Sequence, residues 1–115
     1  MAHVTWEDAL ALALRLPGVE ESTSYGTPAI KVRGKLMARL RAEADGGLVV
    51  MCGVDEKAAL LASGDRAFWT TPHYDGHGSI IVDLDRVDPG QLSELLVDAW
   101  RAKAPKRLVA EFDAG

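Results

Sequence analysis

Between residues 30 and 41, apolar and basic side chains alternate. Ile30, Val32, Leu36, Ala38 and Leu40 are interleaved with Lys31, Arg33, Lys35, Arg39 and Arg41. A period of two is the mark of strands with one buried face, and the glycine in the middle predicts a β-hairpin. Directly opposed residues share a face. A three-residue loop, Arg33-Gly34-Lys35, sets Val32 against Leu36 and keeps the apolar set together, whereas a two-residue loop would set Val32 against Lys35. The preferred register places all five basic residues on one face. Gly46-Gly47 marks the next turn, and residues 48–52, which are apolar without alternation, predict a central strand buried on both sides.

Helical periods flank these strands. Thr5 and Asp8 have the spacing of a capping box, and Trp6, Ala9, Leu10, Ala13 and Leu14 follow at helical spacing, predicting a helix over about residues 6–16 that Pro17-Gly18 ends. Asp55 is the expected cap of a short helix carrying Ala58, Ala59, Leu60 and Leu61, with Gly64 just past its end. Residues 68–74 and 77–84 flank Asp75-Gly76, a dipeptide suited to a tight turn, and predict a second hairpin. Asp88-Pro89-Gly90-Gln91 opens a helix with the stripe Leu92, Leu95, Leu96, Ala99 and Trp100, ending near Ala104-Pro105. Residues 106–112 add a short helical turn, with Asp113-Ala114-Gly115 frayed. The pattern predicts an α+β fold: a single antiparallel β-sheet with two main helices packed on one face. With no repeat or linker, residues 1–115 form one domain.

Composition changes this picture little. At 115 residues and 48% hydrophobic, the chain is long enough to bury a core without disulfides. Cys52 stands in an apolar run and is expected to pack as a small hydrophobe. Met1-Ala2-His3-Val4 lacks the basic head and apolar stretch of a signal peptide, and no run is long enough to span a membrane, so a cytoplasmic protein with no membrane partner is expected.

Charge matters more. The net charge of −4 argues against a polyanionic partner, but it conceals segregation. Lys31, Arg33, Lys35, Arg39 and Arg41, with Arg101, Lys103, Lys106 and Arg107, form two acid-free stretches holding nine of the 13 lysines and arginines. Such stretches suit phosphates, or simply keep a sheet face solvated. Charges at residues 101–107 also suit a helix C-terminus.

Several segments resemble the MmcQ/YjbR family of small bacterial proteins. They are Leu16-Pro17-Gly18 with Glu20-Glu21, then Tyr25-Gly26-Thr27-Pro28-Ala29-Ile30-Lys31-Val32, then Thr71-Pro72-His73-Tyr74-Asp75-Gly76, and finally Ala99-Trp100-Arg101 with Ala104-Pro105-Lys106-Arg107-Leu108. The resemblance implies a fold like bacterial frataxin (CyaY-like) and a DNA-binding role. It carries the family's basic hairpin onto residues 31–41. The chain differs from the family pattern at His77, where an aromatic residue is expected, and at Asp83, where a basic one is common.

The leading expectation is therefore a non-enzymatic DNA-binding protein. It would use Lys31, Arg33, Lys35, Arg39 and Arg41, extended by Lys106 and Arg107, on the phosphate backbone without reading bases. The alternative is an adaptor for an acidic protein or a small anion, with Tyr25, His73 and Tyr74 as its pocket. No catalytic residue, cofactor or metal site is expected. His73, Asp75 and His77 have ligand-like spacing, but a two-residue turn at Asp75-Gly76 would point His73 and His77 to opposite sides. Glu7 and Asp8 are too few for an acidic metal-binding ridge. Trp6 and Trp100 are expected in the core, and Trp69 with Tyr74 at a cross-strand contact or a stacking surface.

Overall fold

The computed structural model describes residues 4–42, 46–74 and 76–115. Asp75, half of the predicted second turn, lies outside them, as do Met1, Ala2 and His3. Among the described residues, six strands and four helices follow in the order α1 (Trp6–Leu14), β1 (Val19–Ser24), β2 (Thr27–Val32), β3 (Lys35–Leu40), β4 (Leu48–Met51), α2 (Val54–Ala62), β5 (Phe68–Trp69), β6 (Ser79–Val82), α3 (Pro89–Lys103) and α4 (Lys106–Ala114). The sheet runs β1-β2-β3-β4-β6-β5 with every neighbouring pair antiparallel. This is the α+β architecture expected from the pattern.

Helices α1 and α3 cover one face. Thr5 and Asp8 close the predicted capping box on α1, and Asp88 caps α3 by accepting from the Gln91 amide at 3.1 Å. The whole predicted stripe of α3 is buried, packing with Ile30, Val32, Ala38, Leu48, Val50 and Ile80 from the sheet. Trp100 is fully buried, and its indole N–H donates to the Pro17 carbonyl at 2.8 Å, bracing the loop after α1. α1 stops at Leu14, two residues before the expected end, so Leu14 is exposed and Leu16 turns inward.

α2 departs from expectation. Gly53, not Asp55, occupies its cap position, and Ala58, Ala59 and Leu61 face solvent while Lys57 is buried. α2 leans on α3 through a Glu56–Asp98 hydrogen bond. Burial, followed by the Asp98 charge, holds the Glu56 carboxyl above the usual carboxylate range. α4 is a full helix through Ala114. Asp113, expected to fray, is gripped by Arg101 with two bonds of 2.7 and 3.0 Å that hold its carboxyl below the ordinary value.

β1 and the start of β2 escaped the pattern, because Val19-Glu20-Glu21-Ser22-Thr23-Ser24 is a polar edge strand with one apolar residue. Two residues, Tyr25-Gly26, join β1 to β2, and two, Arg33-Gly34, join β2 to β3. All four have positive φ (52°, 78°, 49° and 83°), the backbone of a type I′ turn. The two-residue loop therefore prevails over the predicted three-residue one, and Val32 does oppose Lys35. A β-bulge absorbs the resulting misfit. Lys31 pairs with Leu36 and Ile30 with Ala38, leaving Met37 as an extra residue in β3. Met37 and Ala38 are both buried in the helix-side core, so parity changes sides between Leu36 and Ala38.

The second hairpin is also looser than predicted. Phe68 and Trp69 pair with Val82 and Ile81, but the chain then leaves the sheet through a 3-10 turn, Pro72–Tyr74, before rejoining at Ser79.

Trp100→Phe tests the helix layer. Losing the indole leaves a void and an unmet Pro17 carbonyl, so urea titration should show a stability loss of about 2–3 kcal/mol at unchanged m-value. A loss within about 0.5 kcal/mol, the range of ordinary surface changes, would remove Trp100 from this role.

Candidate functional site

The parity change sorts the five hairpin cations. Lys31 pairs with Leu36, whose side chain lines a groove on the helix-free side, and Arg39 opposes Val49 of the cluster on that side. Arg41 continues on Arg39's side and donates from its guanidinium to the Gly46 carbonyl at 2.9 Å. Lys35, opposite the core residue Val32, falls toward the helices at the sheet's exposed end. Arg33 leaves the hairpin to meet α4, where with Pro105, Arg107, Leu108 and Glu111 it borders a separate hollow of about 450 Å³. The expected single basic face is thus divided. Lys31, Arg39 and Arg41 lie on the helix-free side, with Glu20 directly across from Lys31. Arg33 and Arg107 lie at the α4 hollow, where Arg107 already pairs loosely with Glu111 at 4.0 Å. Lys106 begins α4 and lines neither hollow.

The sequence-derived pocket residues, by contrast, come together. Tyr25, His73 and Tyr74 border one groove of about 240 Å³ on the helix-free face. Its floor is Leu36, Val49 and Met51 from β3 and β4. Arg39 stands at its side, and Tyr25, Arg39 and His73 also border an adjoining hollow of about 410 Å³. None of the described residues lining either hollow is a carboxylate.

Each wall is held differently. Tyr74 packs on Val49 and Ile81, with Trp69 alongside, and its hydroxyl takes a hydrogen bond from the Arg39 guanidinium. Trp69 is thus a packing residue and Tyr74 a buried wall, 9% exposed. Tyr25 is the opposite case: it is 93% exposed, and the Arg39 guanidinium carbon lies 5.8 Å from its ring centroid. His73 meets the Tyr74 ring edge-on at 4.9 Å. His73 and His77 lie with ring centroids 6.5 Å apart and planes inclined by 29°, because the 3-10 turn replaces the tight hairpin that would have set them on opposite sides. Among the described residues, no three His, Cys, Asp or Glu side chains gather as a metal site.

Lys57 holds this segment from beneath. Only 5% exposed, its ammonium donates to the carbonyl of Tyr74 and, at 2.9 Å, to that of His77. Nothing in the sequence distinguished Lys57 from a solvent-facing helix lysine. Gly78 permits the return to β6: a Cβ there would lie 2.8 Å from the Cys52 carbonyl oxygen, while the Cys52 amide donates to the Gly78 carbonyl at 2.9 Å. Burial, then the Glu56 charge, pushes the Cys52 thiol up to about 11.

A single antiparallel sheet, helix-covered on one face and carrying an aromatic and cationic groove on the other, defines a small α+β domain. The chain belongs to the YjbR family, whose model matches residues 14–102. That span includes every groove residue and stops short of Lys106 and Arg107. The chain is 30% identical to uncharacterized proteins of Mycobacterium bovis and of two Mycobacterium tuberculosis strains, in each case covering 94% of this chain and 95% of the relative. No solved structure matches it. No helix among the described residues is long and apolar enough to cross a membrane.

Two outcomes follow from the local chemistry. Lys57→Met should speed amide exchange at Tyr74 and His77 about tenfold or more relative to β4, since hydrogen bonds from a charged donor are worth roughly 1.5–3 kcal/mol. Unchanged exchange would mean the 3-10 turn holds itself. For Cys52, a thiol with a pKa of about 11 leaves roughly one thiolate in a thousand at pH 8. Iodoacetamide labelling of the native protein should therefore be slow at pH 8 and rise about tenfold per pH unit toward 11. Fast labelling at pH 8 would contradict the burial described.

Proposed function

We propose that this protein is a non-enzymatic nucleic-acid-binding domain that makes contact through the helix-free face of its sheet. The observation that carries this reading is the groove beside Arg39, rimmed by aromatic and imidazole rings, with no carboxylate among its described lining residues. Cations bind phosphates and ring faces stack on bases; together they form a sequence-tolerant surface. With Arg33, Lys35, Lys106 and Arg107 placed elsewhere, contact falls to Arg39, Lys31 and Arg41, so the electrostatic share is small.

A second reading uses the same groove for a small planar anion. Its support is the convergence of Tyr25, His73 and Tyr74 on a hollow of about 240 Å³, with Arg39 available for the charge. An acidic protein partner has less in its favour, because the cations do not form one continuous patch.

Fluorescence anisotropy with a labelled oligonucleotide tests the first reading. Three phosphate contacts at about −0.7 each in the salt slope predict roughly a twentyfold loss of affinity between about 50 and 200 mM salt. Lys31→Glu with Arg39→Glu should abolish binding, while Arg33→Glu with Arg107→Glu should leave it nearly intact. Binding lost only in the second pair would move the interface to the α4 hollow, and no binding at low salt would end the nucleic-acid reading.

A further inference from the structure

We infer that the groove accepts one unpaired nucleobase, so that the ligand is single-stranded nucleic acid rather than duplex; this rests on the nucleic-acid reading above. The shape of the site is the first reason. Leu36, Val49 and Met51 form an apolar floor below ring-bearing walls. A base in a duplex has both faces covered by its neighbours and cannot enter such a hollow without being extruded. A base in a single strand can, burying its faces where a duplex could offer only its backbone.

The division of charge is the second reason. Duplex binding without base contacts relies on many cations aligned along two phosphate rails. Here Arg33 turns toward α4, Lys35 falls on the helix side, and Lys31 has Glu20 across from it. What remains beside the groove suits the phosphates flanking a single base, with Arg39 nearest.

Tyr25 supplies the third reason, independently of the other two. It occupies the first position of a type I′ turn at φ 52°, where asparagine, aspartate or glycine is favoured and other L-residues are strained. A bulky residue in that conformation is ordinarily held by packing, yet Tyr25 is 93% exposed. The free protein gains almost nothing from burying this ring. A base stacked on it would cover the ring, and the turn holds it beside Arg39 and His73, where the groove opens.

The experiment compares a short labelled single strand with the duplex formed from it, at about 50 mM salt. Two variants remove the base site without changing charge. Leu36→Trp fills the floor, and Tyr25→Asn removes the ring while installing a residue suited to the turn; thermal melts should find Tyr25→Asn at least as stable as the parent. Lys106→Glu, away from the groove, is the control.

The expected result is single-strand affinity exceeding duplex affinity about tenfold or more, lost to a similar extent in both variants and kept in the control. Equal affinity for strand and duplex, or strand binding indifferent to both variants, would overturn the base pocket while leaving nucleic-acid binding in place. Binding of a free mononucleotide as tightly as the strand would overturn it in favour of a small-ligand site. No binding of either nucleic acid at low salt would overturn the proposed function together with this inference.

Discussion

Met37 has no partner in the ladder between β2 and β3, and the two faces of the sheet are arranged around it. The Arg33-Gly34 turn imposes one register at the tip of the hairpin, while the helices require another where α3 crosses the strand, with Ile30 and Ala38 both inward. Because side chains alternate strictly along a strand, only an odd number of inserted residues can reconcile the two. One insertion does so. Leu36 consequently becomes part of the groove floor instead of the core, and Lys35 leaves the side that carries Lys31 and Arg39.

The helix-free face is then furnished from the other half of the chain. A tight second hairpin would have left β4 and β6 bare on that side. The excursion through the 3-10 turn lays Tyr74 across Val49 and Ile81 and brings His73 and His77 to the groove. Lys57 fixes the excursion through main-chain carbonyls, so the anchoring depends little on the side chains of the segment it holds. Arg39 then joins the two halves, since its guanidinium bonds Tyr74 and lies near the Tyr25 ring. Wall and charge are therefore coupled through one side chain.

The caps of α1 and α3, the α3 stripe and the central strand were legible in the sequence because each rests on local spacing, whereas the cap and stripe expected of α2 did not form. The Thr5–Asp8 box, the Asp88 cap and the α3 stripe all formed as their periods require. β1 was not legible, since an edge strand need bury little and its six residues carry almost no apolar signal. Bulge and turn were misjudged together. Parity reasoning assumes an unbroken ladder, and under that assumption Arg33-Gly34 looked wrong although the glycine suited it. Tyr25, His73 and Tyr74 were singled out as residues and do converge, but the groove's floor was hidden because Leu36, Val49 and Met51 look like core in any linear pattern. Lys57 was invisible for the opposite reason, being a charged residue on a helix where charge usually means solvent.

The bond from Trp100 to Pro17 spans 83 positions of sequence. β1, β2, β3 and β4 are neighbours in both chain and sheet, so they can pair while synthesis is still under way, each hairpin closing on its predecessor. α3 follows all of them in the chain. Until it emerges, Ile30, Val32, Ala38, Leu48 and Val50 form an apolar surface that α1 alone must shelter. The nascent chain therefore carries an unshielded hydrophobic sheet from the completion of β4 until α3 follows it out of the ribosome, an interval in which it is open to chaperone binding and to aggregation.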